Sequence, residues 1–230
     1  MSIRTNIEKI KDRIGEAEKR AGREPHSVRL MAVSKLNPQA SVLEAIGAGL
    51  FLFGENRVQE AGEKFPGVFA HNPAAELHLI GSLQRNKVKQ ILPLVSCVQS
   101  VDRAELLAEI EKQAAALNRT VQVLFEFHTG EESKSGFIDT DSLFRSIEGL
   151  QDMPHVRCAG LMTMAPFTPE VSLVRQSFRT LVSVQKECSA RFSSLSFDVL
   201  SMGMSADYEI AIEEGSTLVR VGRAIFGETS

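Results

Sequence analysis

The chain has 230 residues, of which 43% are hydrophobic and 24% charged, and its formal net charge is −3. This length suits one large domain or two small ones, and the composition is that of a globular protein with a sizeable core. The charge gives no electrostatic basis for binding nucleic acid or an anionic membrane. The N-terminus is polar, and no apolar run reaches about eighteen residues, so we expect neither a signal peptide nor a membrane span.

The first predicted element is an amphipathic helix over residues 3–21. Ile3, Ile7, Ile10 and Ile14 recur at three- and four-residue spacing between charged residues, and Gly22 is a suitable stop. This pattern predicts one apolar face, which we expect to pack on the rest of the molecule.

Short apolar runs then alternate with helical patterns to the end of the chain. The runs lie near 28–34, 50–53, 77–80, 95–99, 121–127, 156–162, 197–200 and 217–221. The helical patterns lie at 38–48, 56–65, 85–92, 102–117, 140–150, 170–191 and 206–214. No linker or repeat interrupts them. Eight such units predict a parallel α/β fold, a (β/α)8 barrel forming one domain over 1–230, with residues 1–22 packed on it. The alternative is a doubly wound open sheet, which the lack of a GxGxxG motif disfavours.

Two helix starts carry capping signals. Asp102 is followed three residues later by Glu105, as in a capping box, and Asp139 precedes the pattern at 140–150. We expect both aspartates to cap their helices.

The cysteines show no functional spacing. Cys97, Cys158 and Cys188 form neither a CxxC pair nor a metal-ligand pattern nor a disulfide framework. We therefore expect buried thiols in a reducing cytoplasm, and no metal site.

Lys35 ends the first apolar run, in "MAVSK". In a barrel, catalytic groups sit where strands end. A lysine at a strand end often only extends to water, but its amine can also react with an aldehyde. On the second interpretation we expect Lys35 to be buried at the barrel mouth.

Other polar residues at strand ends each have an ordinary structural explanation. Glu55 and Arg57 could form an ion pair at the rim, and His78 is most simply a hydrogen-bonded core residue. Met162 could serve packing alone. The loop at 127–137, with Lys134 as a possible second amine, could be a solvated loop.

The last two predicted strands end in turns suited to a phosphate. "LSMGMSADYEIAIEEG" offers the hydroxyls of Ser201 and Ser205 beside Gly203, and "RVGR" places Arg220, Gly222 and Arg223 at the next strand end. Glycines admit a close backbone approach, and amides at a helix start attract anions. Because the first and last strands of a barrel are neighbours, Lys35 would face these turns. An amine opposite a phosphate pocket indicates pyridoxal 5'-phosphate.

The sequence also resembles a known family. The segments "FGENRVQE", "HLIGSLQRNK", "GEESKSGF", "GLMTMAP" and "SMGMSADYEIAIEEGSTLVRVGRAIFG" resemble the pyridoxal phosphate homeostasis proteins over residues 28–227. These are single-domain relatives of the N-terminal barrel of alanine racemase. His128 stands where members of this family often carry asparagine.

This resemblance implies roles for individual residues. Lys35 would hold pyridoxal phosphate as a Schiff base, and Arg220 would face the pyridine nitrogen. The phosphate would be held by Ser201, Gly203, Gly222 and Arg223, and the ring would be lined by Val33, Asn56 and Met162.

The resemblance favours a carrier in vitamin B6 homeostasis over an enzyme. Alanine racemase needs a second base, a tyrosine from another domain, whereas Tyr208 is the one tyrosine here and follows the seventh strand. The alternatives are a pyridoxal-phosphate enzyme with weak racemase or lyase activity, and a cofactor-free Schiff-base barrel of the aldolase type. For the carrier we expect a monomer whose partners are apo-enzymes that use pyridoxal phosphate.

Overall fold

The computed structural model describes residues 2–132 and 135–227, and in these residues eight parallel strands close into a barrel in chain order. β1 pairs with β2 on one side and with β8 on the other, which closes the barrel. The (β/α)8 prediction is confirmed, and the open-sheet alternative is wrong. The strands are β1 Arg29–Val33, β2 Leu52–Glu55, β3 Glu76–Leu79, β4 Cys97–Val101, β5 Val121–Glu126, β6 Val156–Met162, β7 Val199–Ser201 and β8 Leu218–Val221.

Nine α-helices occur in the described residues, and most of them follow a strand and cover the outside of the barrel. They are α1 Ile3–Arg20, α2 Gln39–Gly47, α3 Val58–His71, α4 Val88–Ile91, α5 Ala104–Ala116, α6 Thr140–Glu148, α7 Val171–Arg191, α8 Tyr208–Glu213 and α9 Arg223–Phe226. Within the same part of the chain, no helix combines the length and hydropathy needed to cross a membrane.

The N-terminal helix α1 forms as its pattern predicts. Its apolar face, including Ile7, Ile10 and Ile14, is buried, and the Ser2 side chain caps its first turn. The helix packs against α2, α8 and α9, so it joins the first helix of the barrel to the last two.

Strand alternation divides the apolar residues into two sets. One set, which includes Phe53 and Phe125, belongs to the main core that also takes in the buried faces of the helices. The other set fills the barrel interior in two clusters, one around Met31 and Leu218 and one around Leu124. The part of the interior near the C-terminal ends of the strands instead carries polar side chains, which form the site described below.

Two local predictions need correction. The capping box at Asp102 is wrong: the N-cap of α5 is Arg103, which places Glu105 at the second helical position, too early to close the box, and Asp102 pairs with Arg103 instead. Helix α3 continues through Pro66 to His71 rather than ending at residue 65, because Phe65 and Val68 pack into the core. Asp139 caps α6 as predicted and accepts from the amide of Ser142. All three cysteines are free and buried.

Candidate functional site

Lys35 lies two residues after the end of β1, on a turn at the end of the barrel where the strands finish. Its neighbour Leu36 has a φ of +63°, an uncommon value for a residue with a side chain, so the chain reverses sharply here. Because of this turn Lys35 stands exposed at the rim, and the prediction that it is buried is wrong.

A buried ion pair between Lys64 and Glu55 lies behind the turn, and its cluster anchors the residues before and after Lys35. The Lys64 ammonium, on α3, donates to the carbonyl of Ser34 at 2.8 Å and to Oε1 of Glu55 at 2.7 Å. It also donates to Glu60 at 2.9 Å, and the amide of Leu36 donates to that same Glu60 oxygen at 2.5 Å. The residues before and after Lys35 are therefore fixed to one ionic cluster.

Glu55 is the buried centre of this cluster. Its side chain is inaccessible, and Oε1 also accepts from the Ser34 hydroxyl at 2.7 Å. Burial raises the pKa of Glu55 above its ordinary value, although Lys64 opposes the shift. The rim ion pair with Arg57 is wrong, because the partner of Glu55 is Lys64.

Arg220 projects from β8 into the barrel, where it is almost fully buried. Its guanidinium donates to the carbonyl and the hydroxyl of Ser201, both at 2.7 Å, and to the carbonyl of Thr163 at 2.8 Å. Burial lowers the pKa of Arg220 to about 10, which still leaves it charged at neutral pH. A fixed positive charge thus stands inside the barrel below the ends of β6 and β7.

Ser201 is occupied by neighbours inside the barrel. Its hydroxyl accepts from Arg220 and donates its one proton to Oε1 of Gln99 at 2.7 Å. The expectation that this hydroxyl is free for a phosphate does not match these contacts. Ser205, half-buried in the turn before α8, has a hydroxyl that makes no hydrogen bond within the described residues.

The turns after β7 and β8 need glycine because their backbone packs closely against neighbouring protein atoms. Gly203 has a φ of +94°, and a Cβ on it would come within 2.6 Å of Ala211 and 2.9 Å of Tyr208. A Cβ on Gly222 would lie 3.1 Å from the carbonyl of Val33 at the end of β1. The turn after β8 therefore adjoins the end of β1, as the barrel prediction requires. The turn after β7 lies beside β8, because the amide of Arg220 donates to the carbonyl of Gly203 at 2.9 Å.

The structure brings the predicted site residues to one end of the barrel, at different depths. Val33 and Met162 are buried, Asn56 is half-buried after β2, and Arg223 is exposed at the start of α9. Met162 packs in the interior cluster around Leu124. Lys134 lies outside the described residues, and the buried Nδ1 of His128 has no partner among those that are described.

Three functional candidates were missed from the sequence: Gln99, Glu126 and Lys64. Gln99 and Glu126 are polar residues within apolar strands, and this is the signal that could have revealed them. Glu126 accepts from the Ser135 hydroxyl at 2.5 Å, and burial raises its pKa. His78, predicted as a core histidine, is buried and hydrogen-bonded to Gln99 at 2.8 Å.

Comparison with known proteins agrees with this geometry. A family model described as the N-terminal domain of alanine racemase matches residues 3–230. The chain is 39% identical to a pyridoxal phosphate homeostasis protein of Vibrio cholerae, covering 99% of this chain and 96% of that one. The chain belongs to the pyridoxal phosphate homeostasis protein family.

Two of the solved structures that resemble this chain are a protein with PLP bound and an alanine racemase. PipY of Synechococcus elongatus, a structure with PLP bound, superposes with a TM-score of 0.82 at 32% identity, over 93% of this chain and all of that one. An alanine racemase from Bacillus anthracis superposes with a TM-score of 0.69 at 16% identity. That match covers 95% of this chain and 55% of the racemase, so it shows the shared barrel fold alone.

Proposed function

We propose that this protein binds pyridoxal 5'-phosphate through the amine of Lys35 and serves in the homeostasis of that cofactor. The observation that carries the proposal is that the two glycine turns adjoin the end of β1. Gly222 packs against Val33, two residues before Lys35, and the carbonyl of Gly203 accepts from the amide of Arg220 on β8. The likeness to PipY, whose structure holds PLP, supports the same assignment.

The residues present fit this cofactor. When bound, pyridoxal phosphate supplies an aldehyde that condenses reversibly with a primary amine. Lys35 offers an exposed amine, and the turns at Gly203 and Gly222 present backbone without side chains to a phosphate. The half-buried hydroxyl of Ser205 adds a donor that is free in the described residues. We therefore assign the phosphate to Ser205, Gly203, Gly222 and Arg223, and keep Ser201 as the support of Arg220.

Arg220 would set the electronic character of the bound ring. A guanidinium donates hydrogen bonds and accepts none, so a pyridine nitrogen facing Arg220 would stay unprotonated. An unprotonated ring withdraws electrons weakly, which favours holding an amine over removing a proton from one. Val33, Asn56 and Met162 would line the ring in this arrangement.

The function of a carrier also agrees with the place of Tyr208. Its hydroxyl is buried without a partner in the described residues, and the guanidinium of Arg13 on α1 lies 5.7 Å from its ring centroid. A tyrosine packed under α1 is in no position to serve as a second base at Lys35. We therefore propose a non-catalytic carrier whose partners are apo-enzymes that use the cofactor. The monomeric state, the single-domain assignment of residues 1–230 and the cytoplasmic location stay predictions.

The test is covalent capture of pyridoxal phosphate by the purified chain. We expect visible absorbance on mixing and, after borohydride reduction, a stable mass increase of one cofactor located on Lys35. Lys35→Ala should lose both signals. Lys87→Ala, which removes a lysine that follows β3 at the same end of the barrel, should keep them. A chain that stays colourless, or a label retained in Lys35→Ala, would contradict the proposal.

A racemase assay on the loaded protein separates carrier from enzyme. We expect no turnover of alanine beyond that of free cofactor. Turnover that is lost in Lys35→Ala would favour the weak enzyme instead.

A further inference from the structure

A cavity of about 290 Å³ lies at the opposite end of the barrel, where the strands begin. His78 and Arg29 are among its polar lining residues, and Cys97, Leu124, Val199 and Leu218 among its apolar ones. Enzyme sites of this fold lie at the other end, and the proposed cofactor site does not use this cavity.

A directional chain of hydrogen bonds runs from Arg220 down to this cavity. Arg220 donates to the Ser201 hydroxyl, which donates to Oε1 of Gln99, so the amide end of Gln99 must face His78. Nε2 of Gln99 lies 2.8 Å from Nδ1 of His78. An amide nitrogen only donates, so Nδ1 of His78 is an acceptor.

The direction of these hydrogen bonds fixes the tautomer of His78. A neutral imidazole that accepts at Nδ1 carries its proton at Nε2. Burial lowers the pKa of His78 to about 3, with the charge of Arg29 as a smaller cause, so the ring is neutral. Its Nε2–H donates to no group in the described residues, and the ring lines the cavity. The cavity therefore offers an N–H donor that no protein group in the described residues uses.

Charge at the mouth indicates what kind of acceptor fits. Arg29 pairs with Glu76 at 3.3 Å, and both side chains are at least half exposed, so the pair is weak and can be shared. Asp198, also at the mouth, accepts from the Ser196 hydroxyl, and its carboxylate repels anions, so a ligand with two carboxylates fits less well than a ligand with one. With apolar walls beyond, these groups suit one carboxylate attached to a short hydrocarbon chain.

We propose that this cavity binds a small aliphatic monocarboxylate, whose carboxylate accepts the Nε2–H of His78 and pairs with the guanidinium of Arg29. The site is independent of Lys35 and goes beyond the proposed cofactor function.

Sodium butyrate tests the proposal, with the chain kept free of pyridoxal phosphate. Binding is measured by titration calorimetry and by the nitrogen resonances of the histidine rings. We expect saturable binding, a protonated Nε2 on His78 and a shift of that resonance on adding butyrate. 1-Butanol, which has no charge, should bind at least about 10-fold more weakly.

Two matched variants locate the butyrate. Arg29→Gln removes an exposed guanidinium at the mouth and should weaken butyrate binding about 10-fold. Arg157→Gln removes an exposed arginine at the start of β6, outside the cavity lining, and should leave binding unchanged. Absence of saturable binding, an unprotonated Nε2, or equal binding by Arg29→Gln would overturn the proposal. Because the chain is cofactor-free, none of these results depends on whether Lys35 holds pyridoxal phosphate.

Discussion

Arg220 and Ser201 are joined by two hydrogen bonds of 2.7 Å, one to the carbonyl and one to the hydroxyl of the serine. With the third bond, to Thr163, the guanidinium ties β8 to the ends of β7 and β6. All three acceptors are neutral oxygens, so the arginine is positioned by the barrel itself and needs no carboxylate in direct contact.

Replacing Arg220 should therefore destabilise the barrel. Arg220→Met removes donors from three buried oxygens, and we expect it to lower the free energy of unfolding by about 2–4 kcal/mol. Urea denaturation measures this. Arg223→Met removes an exposed arginine three residues later and should stay within about 0.5 kcal/mol of the parent. Equal losses in the two variants would show that the bonds of Arg220 contribute little.

Lys64 is the second buried cation whose loss should be costly. Lys64→Met leaves Glu55 without its ionic partner, and we expect a loss of about 3–5 kcal/mol in the free energy of unfolding. The double variant Lys64→Met/Glu55→Gln removes the stranded charge and should recover part of that loss.

Lys112→Met, which removes an exposed lysine on α5, is the control for Lys64→Met and should be nearly neutral. If the double variant were less stable than Lys64→Met, the buried charge would not be the cause of the loss.

The barrel could be predicted because its signal is periodic. Apolar runs that alternate with helical patterns are repeated eight times, so an error of two residues at β2 leaves the topology unchanged. The meeting of the end of β1, which leads into Lys35, with the turn after β8 followed from closure of the barrel alone.

The polar interior could not be predicted in the same way. Ser201 can face a ligand or Arg220, depending on which side chains of neighbouring strands lie at the same height along the barrel axis. The stagger between strands sets that height. Gln99 and Ser201 are 102 residues apart, and only the closed barrel brings their side chains together. The exposure of Lys35 likewise depends on the left-handed φ of Leu36, which its residue type does not suggest.

Glu126 should make the stability of the protein depend on pH. Burial raises its folded-state pKa above the unfolded value of about 4.3. As pH rises from that value through the folded pKa, the unfolded chain releases its proton first, so the native state loses stability. Glu126→Gln does not titrate. It should match the parent near pH 4 and exceed it near pH 7, by about 1.4 kcal/mol for each unit of pKa shift.

Chemical denaturation of both proteins across this pH range measures the effect. Asp139, Glu213 and Glu214, whose pKa values are lowered by hydrogen bonds, lose their contribution as pH falls, but they are common to both proteins and cancel in the difference. A difference that does not change with pH would contradict the assignment to Glu126.

Substitutions of the two serines near β7 should have different effects: one should weaken phosphate binding and the other should lower stability. If Ser205 holds the phosphate, Ser205→Ala should weaken pyridoxal phosphate about 10-fold and leave the affinity for pyridoxal, which has no phosphate, unchanged. Ser201→Ala should instead lower the free energy of unfolding by about 1–3 kcal/mol, because Arg220 and Gln99 each lose a buried partner. Titrations of each variant with pyridoxal phosphate and with pyridoxal measure the two affinities. Urea denaturation of each variant measures its free energy of unfolding. If Ser201→Ala weakens pyridoxal phosphate selectively at unchanged stability, the phosphate belongs to Ser201, and the contacts that occupy its hydroxyl must break when the cofactor binds.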